Sequence, residues 1–262
     1  VGFVSVVKNE NASFLNLYQN AEYIFAQCLK RRLQSLLTKK VSCLSGCVQI
    51  IKICEELCGE KILNAFNYLP KSEENIFKHI LSYASEDRNH ICLAFSLYPH
   101  ILTIQRLDAL AYTKVPEKLS IFLSQRRRWS LGATLNDILL IFKPNIVFLE
   151  RLNAFINVFT FCLFPFILIA SIYFIIALIT NRNLLLLYLS IPMIIPFVYG
   201  LSIPFFFKKD IKILYFYFGF LIYSTVGFLL NMIIGLYSIY HMDVLKWGKT
   251  RQIKGNIIET RV

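Results

Sequence analysis

The chain has 262 residues, 56% of them hydrophobic and 15% aromatic, and its bases outnumber its acids by 28 to 16 for a net charge of +12. Seven cysteines, an odd number in a large apolar chain, exclude a small disulfide scaffold and leave reduced thiols as the default. The basic excess suits phosphate-bearing ligands or an anionic membrane surface, and the apolar runs after Arg151 argue against nucleic acid.

Phe3 to Val7 reads as a short strand that ends at a polar turn over Lys8 to Asn11. From Phe14 to Leu37 apolar residues recur at helical spacing (Leu17, Ala21, Ile24, Phe25, Leu29), which predicts an amphipathic helix packed on a sheet. Between Glu22 and Glu55 the charged residues are all bases, Lys30, Arg31, Arg32, Lys39, Lys40 and Lys52, as on a solvated or headgroup-facing surface. Cys43, Cys47, Cys54 and Cys58 repeat one spacing, but C-x3-C fits no common zinc pattern and no histidine lies near.

Ser85 is placed to cap a helix whose apolar face is Ile91, Phe95 and Tyr98 before Pro99. Glu86 and Asp87 then occupy its first turn, where the helix dipole favours carboxylates; acids there are routine and need carry no chemistry. Pro116 suits the first position of a longer helix, with Glu117 behind it. Leu119, Phe122, Leu123, Leu131, Leu135, Ile138, Leu139 and Phe142 keep an apolar stripe until Lys143 and Pro144 end it, and such a helix would lie along a membrane.

On that helix Gln125, Arg128 and Trp129 stand at i, i+3 and i+4 and share a face, while Arg126 and Arg127 point elsewhere. The shared face offers an amide, a guanidinium that can donate paired hydrogen bonds to phosphate, and an indole for a sugar ring. An arginine cluster beside a membrane helix suits lipid headgroups equally well.

Phe155 to Ile179 carries no charge and is long enough to cross about 30 Å of hydrocarbon. Leu184 to Phe207, with Pro192, Pro196 and Pro204, is a second such run, and Ile213 to Tyr240 a third. The basic excess before Arg151 would keep that half cytoplasmic. Three full crossings would then export the tail that holds Lys246, Lys249, Arg251, Lys254 and Arg261. Either the third run is broken or re-entrant, or the tail lies outside.

The run SQRRRW, Ser124 to Trp129, resembles the signature of chitin synthases, processive membrane glycosyltransferases related to cellulose and hyaluronan synthases. Its setting, AYTKVPEKLSIFLSQRRRW, is similar to that family's V-P-x-x-x-x-x-L-L-S-Q-R-R-R-W. SEDRNH, with Glu86, Asp87 and Arg88, resembles the family's G-E-D-R, Ser85 standing where the family has glycine. VSCLSGC, Val41 to Cys47, is similar to V-T-C-L-P-G-C, a loop near the acceptor, with Ser45 in place of proline. YQNAEY, Tyr18 to Tyr23, resembles a Y-Q-x-x-E-Y helix. KWGKTR, Lys246 to Arg251, looks like S-W-G-x-T-R, although Trp247 reads more simply as an interfacial anchor.

The resemblance implies the C-terminal part of an α/β, GT-A-like glycosyltransferase domain, followed by interfacial helices and an all-α transmembrane bundle. The expected divisions are 1–114 for the transferase part, 115–154 for amphipathic interfacial helices, 155–240 for about three spans, and 241–262 for a basic tail. The implied reaction transfers N-acetylglucosamine from UDP-GlcNAc to a growing β-1,4-linked chitin chain, which is passed through the membrane. Asp87, with Glu86 beside it, would be the base. Gln125, Arg126, Arg127 and Arg128 would hold the diphosphate, Trp129 would stack on the acceptor sugar, and Arg88, Ser45, Gly46, Cys47 and Trp247 would complete the substrate contacts.

A magnesium or manganese ion is implied, with ligands upstream of this chain, because no aspartate precedes Asp87. A start at Val1 reads as a piece of a longer product that would not turn over alone. The implied partners are UDP-GlcNAc, a chitin oligosaccharide and the bilayer, with a homodimer left open; the implied location is multi-pass in the plasma membrane, catalytic part in the cytoplasm. Competing readings are a related synthase making another polymer, a catalytically silent relative, and a non-enzymatic membrane protein that reads anionic lipid.

Overall fold

The computed structural model describes residues 1–6, 13–44, 46, 48–181, 184–206 and 212–244. The chain opens with β1 (Phe3–Val6) and α1 (Phe14–Phe25), which starts where the Ser13 side chain accepts the Asn16 N–H at 3.2 Å. Helix α1 runs through one π-helical segment (Ala26–Arg31) into α2 (Arg32–Leu37), so the predicted helix forms with a wider turn inside it. Short helices follow, α3 (Glu55–Cys58), α4 (Glu60–Phe66) and α5 (Ile76–Tyr83), then α6 (Glu86–Leu97) and β2 (Leu110–Thr113). The remainder is helical: α7 (Leu119–Phe142), α8 (Phe148–Asn181), α9 (Leu184–Phe206), α10 (Ile213–Thr225) and α11 (Gly227–Tyr240).

This corrects the expected fold class. The described residues build a predominantly helical assembly, and their extended structure is a two-stranded parallel sheet, in register Phe3 to Leu110 through Val6 to Thr113, plus one isolated bridge. The described residues therefore do not form a GT-A-like α/β core. The local reason lies on the second edge of β1. Its outward-facing backbone groups at Val4 are taken by a side chain: the Val4 N–H donates to Gln27 Oε1 at 2.7 Å, and Gln27 Nε2 donates to the Val4 carbonyl at 2.9 Å. An amide of the π-helical segment after α1 thus occupies the place where a third strand would pair.

Helix α7 is the central element. It meets α1 through Tyr18, Phe122, Leu230 and Ile234, a cluster that also brings in α11. Ile80, Ala84 and Leu131 join it to α5, and Cys92, Leu140 and Ala154 join it to α6 and α8. Burying side chains as large as Phe122 or Tyr18 contributes about 1.5–3 kcal/mol each. The helix stops at Phe142 before Lys143 and Pro144, as its sequence indicates, but it begins at Leu119 rather than at Pro116. The Pro116 carbonyl is accepting a 2.9 Å hydrogen bond from Gln19 Nε2, and that segment runs extended against α1.

The expected transmembrane bundle is also corrected. Among the described residues one helical stretch, Phe148–Ile167 in α8, is long and apolar enough to cross a membrane. The 34-residue α8 contains the predicted run from Phe155 to Ile179 within one helix, about 50 Å long at 1.5 Å per residue. The third predicted run is broken at Val226: α10 and α11 meet at 60°, and neither alone has the roughly 20 residues a span needs. Helix α10 docks on α1 instead. A Cβ on Gly219 would lie 2.4 Å from the Leu17 carbonyl oxygen, so only glycine permits this crossing. Phe216 and Phe220 share a core with Phe3, Ala21, Ile24, Cys28 and Ile203.

Candidate functional site

Two of the motifs meet at the start of α6, and α7 passes against it. Asp87 Oδ2 accepts the Gly46 N–H at 3.1 Å, and its Oδ1 accepts the Arg88 N–H at 2.9 Å. Gly46 belongs to the loop after Val41, so that loop and the first helical turn share one carboxylate. Asp87 is half-buried and Glu86 is exposed. The flanking positions Ser45 and Cys47, like Trp247, lie outside the described residues.

Ser85 does not cap α6 through its side chain. Its φ of 56° and ψ of 54° put it in the left-handed region, and its carbonyl accepts the N–H groups of Arg88 and Asn89 at 3.0 and 2.9 Å. A glycine at this position, as in the resembling motif, would adopt that conformation without the Cβ penalty. Helix α7 reaches this point three residues beyond the end of SQRRRW, through Gly132, which lies directly against Ala84 and Ser85.

The arginine triplet diverges around α7, as a rotation of 100° per residue requires. Arg126 is buried and pairs with Glu22 of α1; its guanidinium lies 4.3 Å from the Trp129 ring centroid and 4.9 Å from that of Phe122. Arg127 is buried too and donates through Nη1 to the His241 carbonyl at 3.4 Å, beyond the end of α11. Arg128 is half-buried, one turn before Gly132 on the same face, and so points toward the start of α6. Partial burial lowers its pKa from the ordinary value; the Glu86 carboxylate opposes that shift and Arg127 adds to it.

Gln125 holds Arg126 Nη1 through its Oε1 at 3.2 Å. Trp129 is 40% exposed, with Tyr23 at 6.0 Å between centroids. The segment YQNAEY is thus the cradle of α7: Tyr18 meets Phe122 edge to face at 6.0 Å, Gln19 holds Pro116, Glu22 holds Arg126 and Tyr23 meets Trp129.

Arg88 faces inward rather than toward Gly46. Its Nη2 donates to Asp137 Oδ1 at 2.6 Å, and the two side chains are only 11% and 5% exposed. Asn157 Nδ2 donates to the other oxygen, Asp137 Oδ2, at 3.1 Å, and Lys30 Nζ donates to Asn157 Oδ1 at 2.9 Å. Burial pushes the Asp137 carboxyl up from its ordinary range, with Arg88, Lys30 and Asn157 working against that push. Sequence reasoning missed Glu22, Asp137 and Asn157. The signal available for Asn157 was a polar side chain inside an otherwise apolar helical run, and for Asp137 a single acid between the apolar positions at the end of α7.

Among the described residues no group of three or more His, Cys, Asp or Glu side chains converges, and both Asp87 oxygens are taken by backbone donors. These residues do not fit a divalent cation, and no step below is routed through one.

The family model for chitin synthases matches residues 3–261. Chitin synthase 8 of Gibberella zeae is 36% identical over 250 residues, covering 93% of this chain and 37% of that protein. Chitin synthase 8 of Verticillium dahliae is 41% identical over 165 residues, 63% of this chain and 27% of the relative. Chitin synthase 6 of Mycosarcoma maydis is 28% identical over 261 residues, 96% of this chain and 22% of that protein. The chain therefore spans little more than a third of the length of the first of these relatives, and less of the others. With the match running through the Gly46 loop, the Asp87 turn and the whole of α7, the chain belongs to the chitin synthase family.

Proposed function

We propose that this chain supplies the acceptor-side acid and the diphosphate-facing helix of a synthase that transfers N-acetylglucosamine from UDP-GlcNAc to β-1,4-linked chitin. The observation that carries the reading is the placing of Asp87 between the Gly46 loop and α7. A carboxylate held there by two backbone N–H groups is placed to accept a proton from an incoming sugar hydroxyl. Arg128, turned toward the same helix start, donates charge-assisted hydrogen bonds to a departing diphosphate, and the exposed part of the Trp129 ring offers an apolar surface to a sugar. In this reading α8 anchors the site in the plasma membrane, with the α6 start on its cytoplasmic side.

The test is incorporation of N-acetylglucosamine into insoluble polymer by native membranes. Asp87→Asn is expected to lower the rate by about 10²–10⁴-fold at unchanged protein abundance. Incorporation that ignores the substitution overturns the assignment.

A second reading, a catalytically silent family member that partners an active synthase, is favoured by the inward use of Arg126 and Arg127 and by the strained Ser85. Under it, Asp87→Asn leaves polymer synthesis intact, whereas substitutions at the Glu22–Arg126 pair reduce it through loss of the protein.

A further inference from the structure

Asp87 and Arg88 are neighbours in the chain and face opposite ways, one toward the Gly46 loop and the other into the protein. The inward residue ends on Asp137, and the two oxygens of Asp137 are divided between two helices. Oδ1 holds Arg88 of α6, and Oδ2 holds Asn157 of α8. Asn157 lies in the stretch of α8 that is long and apolar enough to cross a membrane. Lys30 fixes the far side of its amide. The seam continues through Cys92, Leu140 and Ala154, one contact from each of the same three helices.

A well-packed apolar trio would stabilise such a contact at least as well as a buried ion pair, whose desolvation largely offsets its attraction. What the polar groups add is direction. Each hydrogen bond fixes one helix in register against another, and a polar side chain in an apolar helix is costly unless it serves a purpose. We infer that Asp137 and Asn157 are positioning residues that tie the Asp87 carboxylate, through Arg88, to the membrane helix α8. The inference rests on the reading of Asp87 as the base. Its consequence is that a displacement of α8 is transmitted to α6 and moves the carboxylate relative to the Gly46 loop.

The test uses native membranes carrying the intact protein. Asn157→Leu keeps the branched shape of the side chain, with a larger volume, and removes both hydrogen bonds. It is expected to lower kcat for N-acetylglucosamine incorporation about tenfold while the KM for UDP-GlcNAc stays within about twofold, as loss of orientation without loss of donor binding predicts. Asn157→Ser, which supplies a hydroxyl able to donate and accept, is expected to recover part of the loss. Placed on Asp87→Asn, Asn157→Leu is expected to lower the residual rate no further, because it acts through the group already removed. Full additivity of the two losses overturns the inference. So does an unchanged kcat per molecule in both Asn157 variants, whatever their effect on abundance. A harmless Asp87→Asn overturns the base assignment itself, and is read from that single variant.

Discussion

Gly132 of α7 and Ser85 at the start of α6 touch so closely that a methyl group on the glycine would lie 2.4 Å from the serine Oγ and 2.7 Å from its Cβ. Gly132→Ala is therefore expected to destabilise the detergent-solubilised protein by about 1–3 kcal/mol, the cost of overpacking a filled contact. Ser85→Gly should have the opposite sign. It relieves a left-handed backbone that costs a non-glycine residue about 1–2 kcal/mol, partly offset by the larger entropy glycine loses on folding. Because Ser85→Gly also removes both clashing atoms, the double variant should melt well above Gly132→Ala alone. Strict additivity in a thermal melt would show that the two backbones can part.

The hydrogen bond from the Gly46 N–H to Asp87 Oδ2 can be probed by substitution at the glycine. A Cβ on Gly46 would stand 3.8 Å from that oxygen, an ordinary contact, and the residue does not need a left-handed backbone. Gly46→Ala should keep polymer synthesis within about threefold of the parent. Gly46→Pro lacks the donor and sets its ring Cδ where the N–H pointed at the acid, so it both removes a hydrogen bond and displaces the carboxylate, and its rate should fall at least about tenfold. Equal activity in the two variants would detach the loop from the acid's function.

What was legible in the sequence was local. Lys143 and Pro144 stop α7 where their chemistry says a helix ends, and Ser13, though not singled out, is a capping residue in sight. The apolar run from Phe155 to Ile179 lies within α8 as one helix. What was not legible depends on distant partners. A broken or re-entrant third run was one of two readings left open by the charges, but Val226 carries no breaking signal of its own, and α10 turns away from α11 where Gly227 and Gly219 let Tyr18 and Leu17 approach. Arg126 looks solvated beside two other arginines until Glu22, 104 residues away, is brought under it. The α/β expectation came from the resemblance rather than from strand patterns, which were scarce, and Gln27 at the edge of β1 has no sequence signature.

Helix α8 should fail to hold the membrane when a charge is set in its middle. Phe159 is 54% exposed and near the centre of the Phe148–Ile167 stretch. Phe159→Asp disfavours insertion by about 3 kcal/mol on translocon scales. The fraction resisting alkaline carbonate extraction should fall, whereas Phe77→Asp, at an exposed position on α5, should leave it unchanged. Equal extraction of both variants would remove α8 as the anchor.

The three arginines of α7 should separate by what their loss does. Arg126 is buried against Glu22 and three aromatic rings, so Arg126→Ala leaves a poorly solvated carboxylate and a void beneath Trp129. Breaking a buried pair from one side costs about 3–5 kcal/mol, and the expected result is loss of protein from membranes at normal activity per remaining molecule. Replacing both partners with apolar residues, Arg126→Met with Glu22→Leu, should restore abundance, because no unpaired charge is left behind. Arg128 is half-buried on the face toward Glu86. Arg128→Lys keeps the charge but loses the planar pair of donors, so abundance should hold while inhibition by UDP weakens about tenfold, the equivalent of one lost charge-assisted hydrogen bond. If Arg128→Lys instead loses protein while Arg126→Ala keeps it, the helix presents its other face to the diphosphate, and the roles assigned along α7 are reversed.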